Sequence, residues 1–190
     1  KVAPAVLPSP LHWFKWEAYW TWMSGFALLV LLYYAHAGLY LVDRSVADLA
    51  PWQAIAISLA FLVGGWLFYD QLCKRLGLHR EKVLAAAMVA FFTLVSYALS
   101  HLFAGRALFV QVGAMMGTLM AWNVFFVIMP SQRKLVAAKE QGVAPDPVYG
   151  QRGKQRSVHN NYFTLPVLFI MISNHYPLTY GYRHPWAVLI

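Results

Sequence analysis

Charged residues are scarce in this 190-residue sequence, where they make up 12% of the chain while 60% of the residues are hydrophobic. A typical soluble domain has about a quarter charged residues, so this composition excludes an ordinary soluble domain and indicates a membrane protein. Cysteine is scarcer still, because Cys73 is the only one. A single cysteine excludes a disulfide framework within the chain, a Cys-x-x-Cys redox motif and the Cys-x-x-Cys-His motif that attaches haem covalently.

Long apolar segments alternate with short polar ones, and each is long enough to cross most of a layer about 30 Å thick as a helix. The pattern predicts an all-α fold, a polytopic transmembrane helical bundle. Residues 1–190 then form a single transmembrane domain, and it is partial, because the chain begins at Lys1 and stops within the apolar run PWAVLI. The five predicted spans are 17–42, 52–69, 83–104, 107–129 and 158–176, and residues 131–157 are predicted to be a cytoplasmic loop after a helix ended by Pro130.

Basic residues are unevenly distributed among the polar segments. Of the 15 lysines and arginines, 12 fall on one side of the predicted spans and 3 on the other. The positive-inside rule therefore predicts that the N-terminus and residues 131–157 are cytoplasmic and that His175 lies at the outer face. Because topology explains the formal net charge of +8, nucleic-acid binding is not indicated.

A polar cluster opens the fifth predicted span. Arg156, His159 and Asn160 have the spacing i, i+3, i+4 and share one helix face. At a helix N-terminus such a cluster would suit a planar, anionic, hydrogen-bonding small molecule. An equally weighted alternative is that Asn160 and Ser157 only cap the helix while the cations follow the membrane topology. The other members expected in this cluster are Gln132, Asn161 and Tyr162.

Three histidines lie at a similar depth near the opposite face. His36, His101 and His175 fall in the outer portions of spans one, three and five, as the ligands of a b-type haem in a helix bundle would. His36 is the leading candidate, because it is the deepest and is flanked by small residues. The alternative is that these histidines cap helices or form hydrogen bonds at the membrane boundary. About 24 Å of helix separates His159 from His175, so the two ends cannot share one metal ion.

Three smaller patterns concern pairing and packing. Asp70 and Lys74, spaced i, i+4, are expected to form an ion pair. Gly113 and Gly117 have the small-x-x-x-small spacing that lets membrane helices approach closely. Pro166 is expected to kink the fifth span.

Several stretches of the chain resemble the membrane domain of the bacterial membrane-bound urate oxidase, a urate hydroxylase. They are HNNYFTLPVLFIMISNHYP (159–177), GAMMGTLMAWNVFFVIMPSQRK (113–134), PDPVYG (145–150) and the early VAPA and WFKW. The likeness covers nearly the whole chain, although Ser131 stands where this family is expected to have Asn. It implies a multi-pass protein of the bacterial cytoplasmic (inner) membrane. It also implies a C-terminal cytochrome domain carrying c-type haem, which this chain lacks.

The resemblance implies an oxidoreductase of purine catabolism that oxidises urate to 5-hydroxyisourate and passes the electrons to cytochrome c, either the missing domain or a soluble protein. On this interpretation His159, Asn160 and Asn161 are catalytic, and Gln132, Arg156 and Tyr162 bind urate. A b-type haem at His36, His101 or His175 would relay electrons. Urate binding at the outer end, closer to the acceptor, stays open. Two alternatives are a haem-binding electron-transfer or anchor module and a purine permease-like protein.

Overall fold

A computed structural model describes residues 13–78, 80–103 and 105–190 of the chain. These residues contain helices and no strand, so the predicted all-α class is confirmed. The helices are α1 (Trp13–Leu29), α2 (Ala37–Tyr40), α3 (Pro51–Leu76), α4 (Glu81–Ser100), α5 (Gly105–Asn123), α6 (Met129–Glu140), α7 (Pro147–Ser173), α8 (Pro177–Tyr180) and α9 (Pro185–Val188), with π-helical segments at Val30–Tyr34 and Val124–Ile128.

Three helices in the described part of the chain are long and apolar enough to cross a membrane: Pro51–Leu76, Glu81–Ser100 and the continuous helix Gly105–Glu140. They correspond to the predicted second, third and fourth spans. Each qualifies because an apolar sequence runs for at least five turns with few charges. Residue 104, the predicted end of the third span, lies outside the described residues.

The first and fifth predicted spans are helical but are not among these three. In the first, α1 passes into the π-helical segment Val30–Tyr34, and a turn at His36 separates that segment from α2. The fifth span lies within α7, which begins at Pro147, well before the predicted start at residue 158, and the first three turns of α7 are polar. α7 also continues without a break through Pro166, the residue that is predicted to kink it.

The prediction that residues 131–157 form a loop is wrong. Helix α6 continues to Glu140 and α7 starts at Pro147, so only residues 141–146 are non-helical. Proline normally ends a helix because it lacks an N–H and its ring clashes with the preceding turn. Here the π-helical segment Val124–Ile128 comes directly before Met129 and Pro130, and its wider turn accommodates the ring.

The start of α7 is fixed by its local sequence. Asp146 caps the helix, since its carboxylate accepts a hydrogen bond of 2.9 Å from the backbone N–H of Val148, and Pro147 occupies the first helical turn. The N-terminus of α7 is therefore more than two turns from Arg156. The helix-terminus charge that we expected to support the polar cluster does not act there.

The core lies where α5 packs against α3 and α7. Gly113 of α5 makes the close approach to α7 that its spacing predicts: a Cβ placed there would lie 2.8 Å from Cγ2 of Ile170. Gly117 differs, because nothing lies within 4 Å of its Cβ position. Only one of the two glycines is thus required for this helix contact.

We expect Gly113→Ala to lower the free energy of unfolding by about 1–3 kcal/mol relative to Gly117→Ala, because the β-branched Ile170 cannot move its methyl group aside easily. Gly117→Ala is the matched control, and it should be neutral or stabilising by up to about 1 kcal/mol through helix propensity. The measurement is detergent-induced unfolding followed by circular dichroism. Equal stability of the two variants would contradict the α5–α7 contact.

Candidate functional site

A buried ion pair joins α3 to α7 at the end of the bundle where α3 and α6 finish, which we call the basic end. The Arg156 Nη2 donates to Asp70 Oδ1 at 2.7 Å, and both side chains are 4% exposed. Lys74 lies 2.6 Å from the other carboxylate oxygen, so the predicted Asp70–Lys74 pair is confirmed. Two cations on one carboxylate leave the cluster with a surplus positive charge.

The Arg156 guanidinium is held by two further contacts. Its Nη1 donates to Asn123 Oδ1 of α5 at 3.3 Å. Its plane lies over the Tyr69 ring, with 4.6 Å between the guanidinium carbon and the ring centroid. A cation is attracted to the negative face of an aromatic ring, most strongly away from water. Arg156 is therefore fixed in position from α3 and α5 as well as by its charge partner.

Asn160 takes part in this network through Asn123. The Asn123 Nδ2 donates to Asn160 Oδ1 at 3.0 Å and to the Tyr69 hydroxyl at 3.1 Å. Asn160 Nδ2 in turn donates to the Met120 carbonyl at 3.0 Å. Asn160 therefore bonds across to α5 from within α7, and it does not act as the helix cap that the alternative interpretation proposed.

His159 contacts the same tyrosine from the other side. Its Nδ1 lies 2.8 Å from the Tyr69 hydroxyl, and the Cys73 sulfur lies 4.0 Å from the same nitrogen. Because the Asn123 amide already donates to the Tyr69 oxygen, the Tyr69 proton is directed to Nδ1. We assign His159 accordingly as a neutral imidazole that carries its proton on Nε2.

A cavity of about 620 Å³ opens beside the ion pair, between α3, α6 and the first turns of α7. Four of its lining residues are cations and one is a carboxylate, Asp70. Trp66 and Phe126, with ring centroids 5.1 Å apart, form an aromatic part of the wall. The lining cations are Lys74, Lys134, Arg152 and Arg156. We call this the cationic cavity; a planar anion fits its charge and its aromatic wall.

The predicted site residues divide among different surroundings. Arg156 lines the cationic cavity, whereas His159 lines a separate groove between α4 and α7. Arg156, His159 and Asn160 are brought together through Tyr69 and Asn123, as their helical spacing predicts. The other three predicted residues are exposed and take no part in this network: Gln132, Asn161 and Tyr162.

The three histidines of the haem prediction lie at or just beyond helix ends, and all are exposed. The His36 Nδ1 lies 3.2 Å from the Leu31 carbonyl and the His101 Nδ1 lies 2.9 Å from the Tyr97 carbonyl. A carbonyl only accepts, so each Nδ1 donates and each Nε2 keeps the lone pair that a metal requires. His175 lines a different, apolar cavity. Across the described ranges, no three His, Cys, Asp or Glu side chains form a metal-binding group.

Sequence reasoning missed Tyr69, Asn123 and Arg152 as members of the site. One signal was available: Asn123 is an amide within the apolar fourth span, and polar groups at membrane depth are default functional candidates. Tyr69 carried no comparable signal, because tyrosine is common at span ends.

We expect Asp70→Asn to lower the free energy of unfolding by about 3–5 kcal/mol, because Arg156 would stay buried without a counter-charge. Lys74→Gln is the control: the Lys74 side chain is 63% exposed, so its loss should cost no more than about 1 kcal/mol. Detergent-induced unfolding of both variants makes the comparison. A similar loss in both would show that the Asp70–Arg156 pair does not stabilise the bundle.

Comparison with known proteins yields one family. A search of curated proteins and a search of solved structures each found no match. The profile of the family described as "Urate oxidase N-terminal" matches residues 1–190, the whole length of the sequence. The chain belongs to the urate oxidase N-terminal family.

Proposed function

We propose that this chain is the urate-binding membrane domain of a urate hydroxylase and that urate binds in the cationic cavity. Membership of the family indicates an oxidoreductase that acts on urate. The specific proposal is that urate is oxidised to 5-hydroxyisourate and that the electrons pass to cytochrome c. The three helices of the described ranges that are able to cross a membrane are consistent with a domain held in a lipid bilayer.

One observation carries the placement of urate: the cationic cavity has four cations against one carboxylate. Urate is an anion at neutral pH, and a surplus of positive charge in a partly dehydrated cavity binds an anion more strongly than the same charges do in water. An Arg guanidinium also matches the planar donor and acceptor edge of a purine. Arg156 is held ready for this contact, since Asp70, Asn123 and Tyr69 fix its orientation before any ligand arrives.

The aromatic wall of the cavity provides the second element of recognition. Trp66 and Phe126 line the cavity, and a purine stacks on such rings. The basic side chains then contact its oxygen-bearing edge. A water molecule attacks C5 of the bound purine as two electrons leave it, so the site has to exclude bulk solvent and still admit one water.

The predicted roles in α7 take a more definite form. Asn160 is proposed as a positioning residue, because it reaches Arg156 through Asn123 and does not line the cationic cavity. His159 lies beyond Tyr69 from the cavity, so we do not propose it as a base in direct contact with urate. Direct roles for Gln132, Asn161 and Tyr162 stay predictions.

The b-type haem also stays a prediction. His36 and His101 have the tautomer that an iron ligand needs, and a bound haem would supply a one-electron carrier at the end opposite the basic end. Orientation in the bacterial inner membrane is proposed from charge alone: the cationic cavity would open to the cytoplasm, where the positive-inside rule puts its lysines and arginines.

Neutralising one cavity cation should weaken urate binding. We expect Arg152→Gln to raise the dissociation constant for urate about fivefold, the equivalent of about 1 kcal/mol for a partly exposed ionic contact. Arg133→Gln is the control, because Arg133 is an exposed cation at the same end that does not line the cavity. Equilibrium dialysis of radiolabelled urate with the full-length protein measures both. Equal weakening in the two variants would mean that urate responds only to overall charge.

The activity itself is tested with added ferricytochrome c under anaerobic conditions. We expect urate to be consumed and cytochrome c to be reduced without oxygen, and no hydrogen peroxide to form in a parallel aerobic assay, because the two electrons pass to cytochrome c and not to oxygen. The control omits urate. Urate consumption that requires oxygen and releases peroxide would rule out the proposed acceptor, and no consumption with any acceptor would rule out the proposed function.

A further inference from the structure

A second large cavity, about 850 Å³, lies between α4 and α7 on the other side of Tyr69 from the cationic cavity. Residues of α4 and α7 form its two walls, and Met116 of α5 and Tyr69 of α3 form its floor. We call it the α4–α7 groove. The mechanism proposed above makes no use of it.

The body of the groove is apolar and elongated. From Glu81 to Phe92 its α4 wall extends over twelve residues, or roughly 16 Å of helix. Met88 and Phe92 line this wall, and Phe163 and Pro166 line the facing wall. The groove follows the direction of the bundle through an apolar region, so it is shaped for an extended hydrocarbon chain.

The end of the groove at the basic end is polar. His159 and Tyr162 lie there on adjacent turns of α7. Since the Tyr69 hydroxyl occupies the Nδ1 of His159, the His159 Nε2–H is available as a neutral hydrogen-bond donor. Three charged residues surround this end, and the two cations among them are offset in part by the carboxylate: Glu81, Lys82 and Lys154.

The groove and the cationic cavity are neighbours. Leu78 and Gln155 line both of them, so a single layer of side chains separates the two spaces. Tyr69 bridges the layer, because its ring lies under Arg156 and its hydroxyl contacts His159. A redox-active group at the polar end of the groove would therefore lie close to a substrate in the cationic cavity.

We propose that the α4–α7 groove binds a lipid-tailed quinone, with the isoprenoid tail along the apolar walls and the ring at His159. The quinone ring carries carbonyl oxygens that accept hydrogen bonds, and two residues lining this end of the groove, His159 and Tyr162, have neutral donor groups that could supply them. A phospholipid would share the apolar walls, but its anionic headgroup is less well matched, because Glu81 lies among the basic residues there.

The proposal rests on the proposed function, since the quinone would take the electrons that urate loses. Counted from uric acid, a bond forms between C5 and the oxygen of water, one O–H bond of that water and one purine N–H bond break, and two electrons and two protons leave. The quinone takes up two electrons and two protons and becomes a quinol. No further oxidant is needed for this step, and a haem protein such as cytochrome c would oxidise the quinol in two one-electron steps.

The site is tested first by photolabelling, which requires no turnover. The full-length protein in lipid nanodiscs is irradiated with an azido-substituted short-chain ubiquinone, and labelled peptides are identified by mass spectrometry. We expect labels on α4 and α7 peptides that line the groove, displaced by excess decylubiquinone. Ala85→Phe, which fills the groove, should reduce labelling about tenfold or more. Ala86→Phe, an adjacent exposed position outside the groove, should leave labelling within about twofold.

The electron-transfer role is tested by urate-dependent reduction of decylubiquinone. His159→Leu removes the donor and should raise the KM for the quinone about tenfold, whereas His159→Gln, which keeps an N–H at similar reach, should restore most of the loss. Because His159 contacts Tyr69, and the Tyr69 ring holds Arg156, urate binding is measured separately by dialysis, and in His159→Leu the KM for the quinone should rise several-fold more than the dissociation constant for urate. A purely structural role for His159 would instead lower the stability of His159→Leu and change the KM for the quinone and the dissociation constant for urate by similar factors.

The outcomes separate the two proposals. Labelling outside the groove, or equal labelling of the Ala85→Phe and Ala86→Phe variants, overturns the quinone site and leaves urate binding to be judged by its own assay. Displacement of the label by anionic phospholipid but not by decylubiquinone also overturns it and identifies a lipid site. Labelling of the groove peptides in a protein that does not bind urate in the dialysis assay would refute the proposed function, and the groove would remain a quinone site.

Discussion

The Asp70–Arg156 ion pair is the contact on which the organisation of the basic end depends. Removing two charges from water costs several kcal/mol for each ion, so such a pair persists only when its remaining donors and acceptors are satisfied. Lys74, Asn123 and the Tyr69 ring meet that requirement, and in doing so they bring α3, α5 and α7 to one point. The polar side chains of three helices are thereby held in a single arrangement, with the cationic cavity on one side and the α4–α7 groove on the other.

The sequence predicts the local features of this structure and does not predict its long-range contacts. The all-α class, the positions of α3 to α5 and the shared face of Arg156, His159 and Asn160 follow from hydropathy and from the 3.6-residue repeat, which are local properties. The partner of Arg156 is 86 residues away in sequence, and no local pattern specifies which carboxylate will meet it. The separation of Arg156 from His159 into two cavities is a tertiary result of the same kind.

The arrangement also explains how one short stretch of α7 can serve two compartments. Arg156 and His159 are three residues apart, which corresponds to a rotation of about 300° around the helix. Their side chains therefore lie on nearly the same side of α7. Tyr69 lies between the two side chains, with its ring against one and its hydroxyl against the other. The proposed substrate and the proposed acceptor would thus be kept apart while the groups that contact them belong to one network.

The π-helical segment Val124–Ile128 has a consequence for how this family can vary. A π-turn holds one residue more than an α-turn, so it amounts to a one-residue insertion within a continuous helix. Each added residue rotates the following helix by about 100°. Ser131 and Lys134 line the cationic cavity only in the rotated register, while Asn123 keeps the register of α5. Relatives without this extra residue would present a different face of α6 to the cavity, and the same fold could then accept a ligand of different charge.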